Sequence, residues 1–159
     1  MTMGQLPSAA QATGVEAQEA WYVIDPAWYQ QRQVSLTYVA HLRRCQDCRE
    51  GRQPVIKGRR RRPKKDPGWE DEMGIIAGCC SAKSGYITAQ TPLLEAAFRL
   101  LLKSGNEPLS TQEMHQSIQE AWVAGITPRD PSLPHLRRLL SRQDAYGMRR
   151  TERLPDPEG

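Results

Sequence analysis

The sequence has few of the residues that build a large hydrophobic core. Hydrophobic residues make up 38 % of its 159 positions, and only one residue is Phe. The mean hydropathy is −0.66. A chain this poor in core-forming residues is typical of a small core that needs additional support, such as a bound metal ion, together with unstructured ends. We therefore do not expect one large core.

Long apolar runs are also missing. No stretch approaches the roughly 20 apolar residues that a membrane-spanning helix needs, and residues 1–20 lack the basic start and apolar stretch of a secretory signal. The composition of residues 1–20 and 151–159 predicts disordered tails at both ends. We expect a cytoplasmic protein that makes no membrane contact.

The motifs of common enzyme classes do not occur in the chain. It has no P-loop, no nucleophile elbow, no His-Glu metalloprotease pair and no dinucleotide-binding glycine fingerprint. Its three histidines, His41, His115 and His135, are scattered along the sequence. We predict that the protein is not an enzyme, although a catalytic pair brought together only by folding would leave no such signature.

The chain has only four cysteines, which form two close pairs. Cys45 and Cys48 are separated by two residues, and Cys79 and Cys80 follow about thirty positions later. This spacing is typical of zinc sites. Structural disulfides need an oxidising compartment, and a thioredoxin-like redox motif needs a βαβ setting, and the sequence indicates neither. We predict one closed structural Zn²⁺ site formed by all four cysteines, in a module of no recognised family.

The adjacency of the second cysteine pair constrains this prediction. Neighbouring side chains of an extended segment point to opposite sides, so both thiols can bind one ion only where the backbone turns. Gly78 would allow such a turn. In an alternative site, His41 would join the first pair and replace either Cys79 or Cys80.

Positive charge is concentrated between the two cysteine pairs. The chain carries a net charge of +4, yet residues 43–65 alone contain eleven basic and two acidic residues. A basic loop at 51–68 holds most of them and is rich in Gly and Pro. We predict that this loop contacts nucleic acid phosphates through Arg59, Arg60, Arg61, Arg62, Lys64 and Lys65. In an alternative, the same cations contact a protein surface.

Helix-start signals recur along the remainder of the chain. Asp25 before Pro26 and Ser35 before an apolar periodic stretch predict two short helices. Thr91 before Pro92 predicts the start of a third helix, at 92–103. Residues 21–24 are apolar and predict either a strand or a strap across the core.

Two further helices follow residue 103. Ser110, with Glu113 three positions later, is a capping-box signature for a helix over 111–122. Ser132 predicts the start of a helix over 133–142. The stretch "AYGMRR" that follows predicts a turn and then an extended segment.

Three helices followed by this turn resemble a winged-helix domain, a helix-turn-helix fold, over about 60 of the 159 residues. The likeness is to a fold pattern and not to a sequence fingerprint. It implies that the third helix enters the major groove of DNA and that the wing contacts the backbone. The residues implied in nucleic acid contact are Arg137, Arg138, Arg142, Arg149 and Arg150.

The helix 92–103 is apolar on nearly every side. Such a helix is either fully buried or part of an interface. Full burial is difficult in so small a protein, so we expect this helix to form a homodimer or protein-partner surface.

Together these patterns predict a mainly α protein. A zinc-stabilised module at 21–90 would pack on a winged-helix-like domain at 91–150. The leading functional hypothesis is a non-enzymatic accessory or regulatory protein that binds DNA or RNA, for example in transcription regulation. The alternative is an adaptor that docks on a larger assembly such as RNA polymerase or the ribosome.

Overall fold

The computed structural model describes residues 20–51, 68–123, 131–142 and 146–152. Within these ranges the chain is mainly helical, as predicted, with one small antiparallel sheet. The helices are α1 (Pro26–Gln31), α2 (Leu36–His41), α3 (Gln46–Arg49), α4 (Trp69–Gly78), α5 (Leu93–Lys103), α6 (Thr111–Val123) and α7 (Leu133–Arg142), with a 3-10 turn at Cys80–Ala82. The strands are β1 (Trp21–Ile24), β2 (Leu109–Ser110) and β3 (Met148–Thr151).

The sheet joins distant parts of the chain. Its order is β2-β1-β3, so the N-terminal strand lies between the two C-terminal ones. In β1, Tyr22 pairs with Leu109 on one side and with Arg150 on the other, both antiparallel. Residues 21–24 therefore form a strand, one of the two predicted alternatives. They share a sheet with elements that the sequence assigns to the second module, and Thr151, placed in the C-terminal tail, is part of β3.

Most of the predicted helix starts are confirmed. Asp25 accepts a hydrogen bond from the amide of Ala27, and Ser35 accepts one from the amide of Tyr38. Ser110 and Ser132 do the same three residues ahead of themselves, at α6 and α7. Each cap satisfies a backbone donor that the first helical turn would leave unpaired.

Thr91 does not cap α5, so the helix start predicted at this residue is wrong. The helix begins at Leu93 with Pro92 before it, and the Thr91 hydroxyl instead accepts a hydrogen bond from the amide of Thr88. The preceding turn therefore uses the oxygen that a cap would need.

The C-terminal end of α5 connects that helix to the sheet. Gly105 adopts φ +72°, and the amides of Gly105 and Asn106 donate to the carbonyls of Leu102 and Leu101. This is the Schellman arrangement, which a glycine in the left-handed region permits. The Asn106 side chain then hydrogen-bonds both the amide and the carbonyl of Ile24 in β1.

Helix α5 lies at the centre of the hydrophobic core. Six of its eleven residues are buried, namely Ala96, Ala97, Phe98, Leu100, Leu101 and Leu102. It contacts α4, α6, α7 and β1. The apolar circumference that predicted a homodimer or partner surface is therefore accounted for by burial within the chain.

The cysteine-bearing elements pack against this core through α4. Helix α2 contacts α4, and α4 contacts α5 and the 3-10 turn. Of the predicted basic loop, only the end residues Gly51 and Gly68 fall within the described ranges. The residues between them, and the predicted tails at 1–19 and 153–159, lie outside.

Candidate metal centre

The four cysteines come together at one point. Their Sγ atoms all lie within 4.8 Å of one another, and no other group of three or more His, Cys, Asp or Glu ligand atoms forms in the described ranges. Cys48 and Cys80 are buried, whereas Cys45 and Cys79 are half-buried. The cluster could hold a metal ion, and it draws on both predicted pairs.

The first pair is positioned by α3. Cys45 is the residue before the helix, in extended conformation, and Cys48 is in its first turn. One helical turn brings residues three apart to the same side, so the two thiols face the same point. The spacing of two residues thus produces the convergence that the sequence predicted.

The second pair converges because the backbone turns at Cys79. Helix α4 ends at Gly78, and Cys79 has φ −141° and ψ −63°, outside the helical region, before the 3-10 turn starts at Cys80. The two adjacent side chains therefore do not alternate as in a strand. We expected Gly78 to provide the turn, but Gly78 is helical and Cys79 itself changes direction.

The alternative ligand His41 lies elsewhere. Its Nδ1 atom is 3.5 Å from the Glu72 carboxylate, which also accepts a hydrogen bond from Nε of Arg44. Glu72 is buried at 3 % exposure. His41 is therefore not in the cysteine cluster. The Glu72 carboxylate has two partners, His41 and Arg44.

The surroundings of the cluster lower the pKa of one thiol and raise the pKa of two others. Burial opposes ionisation of Cys45, but hydrogen bonds to the amide and thiol of Cys48 and to the thiols of Cys80 and Cys79 outweigh it and lower its pKa to about 7. Burial, followed by hydrogen bonds to the neighbouring thiols, raises the pKa of Cys48, and burial also raises that of Cys80. A metal ion binds thiols in their deprotonated form, so metal binding at this cluster would release protons.

The predicted loop cations Arg59, Arg60, Arg61, Arg62, Lys64 and Lys65 lie outside the described ranges. The ends of the loop are informative. Gly51 follows Cys48 by three residues, but Gly68 precedes α4, whose ten residues span about 15 Å before Cys79. The cysteine cluster is therefore adjacent to the first end of the loop and one helix length from the second.

The predicted cations of α7 are not equivalent. Leu136 and Leu140 point into the core and are fully buried, while Arg138 and Arg142 are exposed on the opposite side. His135 lies one turn before Arg138 and is 2.8 Å from its guanidinium. Arg137 is half-buried at the edge of the core face. We call His135, Arg138 and Arg142 the α7 stripe.

The two arginines of β3 are both exposed but point to opposite faces of the sheet, as successive strand residues do. Arg149 lies 3.6 Å from the carboxylate of Asp25. Arg150 is opposite Tyr22 in the sheet.

Sequence reasoning missed an ion-pair network beside the cysteines. Arg43 donates to both oxygens of Glu95, at 2.9 and 2.7 Å, and Arg99 donates to Glu95 at 2.7 Å. The spacing of Glu95 and Arg99, four residues apart on α5, was the available signal. Arg43 is 52 residues away in sequence from Glu95, so no local pattern could have indicated their pairing.

None of the described helices has the length and apolar composition needed to cross a membrane. Comparison of the chain with protein-family models, with curated proteins and with solved structures found no match.

Proposed function

We propose that the protein is a zinc-stabilised, non-enzymatic nucleic-acid-binding protein with an accessory or regulatory role. The proposal has two parts, a structural metal site and a cationic surface. Each part is supported by a different set of residues and can fail separately.

The chemistry of the cysteine cluster favours Zn²⁺. Tetrahedral zinc–thiolate sites have Zn–S distances of about 2.3 Å, which places sulfurs about 3.8 Å apart. The observed upper limit of 4.8 Å needs only a small contraction. Thiolates are soft ligands that suit zinc, and four of them leave no open position for a substrate. A closed structural site is therefore proposed.

A winged-helix-like arrangement is proposed for the C-terminal elements. Their order is α5, β2, α6, α7 and β3. A wing requires a second strand beside β3, and β1 occupies that place in the sheet. The middle strand comes from the N-terminal side of the helices, so the arrangement would be a variant in which the strand precedes them in sequence.

The observation that carries the nucleic acid proposal is the α7 stripe. The apolar face of α7 is anchored in the core by Leu136 and Leu140, so the opposite face of this helix presents Arg138 and Arg142 at its surface. No described carboxylate forms an ion pair with either arginine. Exposed cations on a helix anchored in the core can bind phosphates or base edges.

The proposal is tested by measuring binding to duplex and single-stranded probes over a range of salt concentrations. Affinity is expected to fall steeply with salt, and Arg138→Gln/Arg142→Gln is expected to reduce the slope by roughly 1.4 to 1.8. Arg32→Gln/Lys103→Gln, which removes two cations elsewhere on the surface, is the charge-matched control and should leave the slope nearly unchanged.

Absence of binding to any probe at low salt would overturn the nucleic acid proposal and favour the adaptor hypothesis. Equal losses in the α7 and control variants would reduce the interaction to general charge attraction and exclude the α7 stripe as the site.

A further inference from the structure

A cavity of about 310 Å³ lies beside the cysteine cluster. Cys45 and Cys80 form part of its wall, and Leu42 and Tyr86 contribute apolar surface. Among the residues that the structure describes, none with a carboxylate lines it. Its cationic lining consists of Arg43, Arg44, Arg49, Lys83 and Arg99.

Three of these arginines are held in place by two acids, the buried Glu72 and the half-buried Glu95. Arg43 and Arg99 both donate to Glu95, and Arg44 donates to Glu72. Their side chains are only 17 %, 25 % and 11 % exposed, in that order. Ordering a long side chain on binding costs conformational entropy. Because the fold already orders these three side chains, this cost is smaller here.

Donors remain available in the cavity. In Arg44 and in Arg99, Nε and Nη1 each donate a hydrogen bond to a described residue. The Nη2 atom of each arginine donates none to the described part of the chain. Arg49 has no partner in the described part of the chain. Lys83 forms an ion pair with the half-exposed carboxylate of Asp47, at 3.6 Å. The partly buried guanidiniums, together with the exposed cations Arg49 and Lys83, suit an anionic ligand.

The charge of a metal site limits which anion fits. Zn²⁺ with four thiolates would carry two negative charges at the wall formed by Cys45 and Cys80. This charge must be counted in the net charge of the cavity. The surplus of positive charge in the cavity is then small. A phosphodiester, with one negative charge, is therefore favoured over a phosphate monoester with nearly two.

An apolar strip extends from the mouth of the cavity. Leu42 lines the cavity and is 43 % exposed, and Tyr38, one helical turn earlier, is 60 % exposed. Val34, which precedes the cap residue Ser35, is also 43 % exposed. An exposed aromatic ring next to phosphate-binding cations is the combination used to bind single-stranded nucleic acids, in which base faces are free to stack.

We infer that this cavity binds a backbone phosphate of a single-stranded nucleic acid, with an adjacent base stacked on Tyr38. The inference rests on the proposed nucleic acid function and adds a strand type and a second contact site to it. Arg49 and Lys83 would contact the phosphate from the rim, and Leu42 would lie beside the base.

The test measures binding of the metal-loaded full chain to a labelled oligothymidylate and to a duplex of equal length. Tyr38→Ala is expected to weaken oligothymidylate binding on the order of ten-fold. Tyr38→Phe keeps the ring and should bind as the unmodified protein does. Arg49→Gln/Lys83→Gln should reduce the salt slope for the single strand by roughly 1.4, whereas Arg32→Gln/Lys103→Gln should not.

Three outcomes would overturn the inference and leave the broader function standing. Tighter binding of the duplex that depends on the α7 stripe but not on Tyr38 is the first. Equal binding by Tyr38→Ala and Tyr38→Phe is the second. In the third, Arg49→Gln/Lys83→Gln loses metal but binds oligothymidylate normally once loaded, which would assign these cations to neutralising the thiolates. Failure of the unmodified protein to bind either probe would instead overturn the function itself.

Discussion

The cysteine region, which comprises α2, α3, α4 and the 3-10 turn, differs from the helical region of α5, α6 and α7 in what it buries. Helix α5 buries mostly large aliphatic side chains and Phe98. The cysteine region also buries Leu36, Ala40, Met73 and Ile76, but it adds two buried thiols and the ion pair of Arg44 and Glu72, whose side chains are 11 % and 4 % exposed. Apolar contact dominates in α5, whereas the cysteine region combines apolar contact with groups whose charge state matters.

This difference predicts how each region responds to chemical change. Apolar packing is insensitive to chelators and to modest changes of pH. Thiolates and buried ion pairs are not, because an uncompensated buried charge costs several kcal/mol. The glutamate that joins the regions, Glu95, contacts Arg43 near the cysteines and Arg99 on its own helix.

The largest effect is expected from removing one of the proposed metal ligands. Cys48→Ser should lower the free energy of unfolding on the order of 5 kcal/mol or more, because structural zinc sites contribute large apparent binding energies. Thermal or denaturant unfolding measures the loss. Hydrogen exchange should show it first in α2–α4 and less in α5–α7. Ser81→Ala, next to Cys80 but without a ligand atom, is the matched control. Uniform loosening of both regions would contradict the comparison.

A smaller effect is expected from breaking the buried ion pair. Glu72→Gln leaves Arg44 without its charge partner and should cost about 4 kcal/mol of stability in urea unfolding. Glu70→Gln, an exposed change two positions earlier on α4, should cost little. Similar losses in the two variants would mean that the pair is not buried in solution.

The connection between the regions should appear in the pH dependence. Burial opposes ionisation of Glu95, but hydrogen bonds from Arg43 and Arg99 hold its pKa at about 2, below the ordinary 4.5. Its stabilising contribution is present above the unfolded-state pKa and is lost as the pH falls from about 4.5 to about 2. The contribution is about 3 kcal/mol.

Comparing Glu95→Gln with the unmodified protein isolates this contribution from acid release of a metal, which affects both. The difference in their unfolding free energies should be large at neutral pH and shrink in that acid range. A difference that stays constant with pH would refute the assigned pKa.

The smallest effect is expected within the helical region. Ser110 caps α6 by accepting from the amide of Glu113 at 3.0 Å. Ser110→Ala should therefore cost about 1 kcal/mol. The exposed Ser84→Ala change provides a baseline near zero. A loss as large as that of Cys48→Ser would show that the helical region also depends on a few polar contacts.

Local features of this molecule could be predicted from sequence. Asp25, Ser35, Ser110 and Ser132 cap helices as expected, because a cap involves residues only two or three positions apart. The convergence of Cys45 and Cys48 follows from one helical turn. Thr91 failed because a neighbouring turn competes for the same hydroxyl oxygen.

Features that join distant segments could not be predicted. The position of β1 between β2 and β3, and the pairing of Arg43 with Glu95, depend on the whole fold. The sequence favoured a partner surface over full burial for α5, whereas contacts with α4, α6, α7 and β1 bury six of its residues. The nucleic acid contacts, the winged-helix arrangement and the identity of the metal stay predictions.

The most direct test of the dependence of the cysteine region on a metal is metal analysis of the purified chain combined with thiol titration. We expect one zinc ion per folded chain and four thiols that react only after chelation or unfolding. Folded protein without metal, in which the four thiols titrate freely and α2–α4 keep their hydrogen-exchange protection, would contradict it.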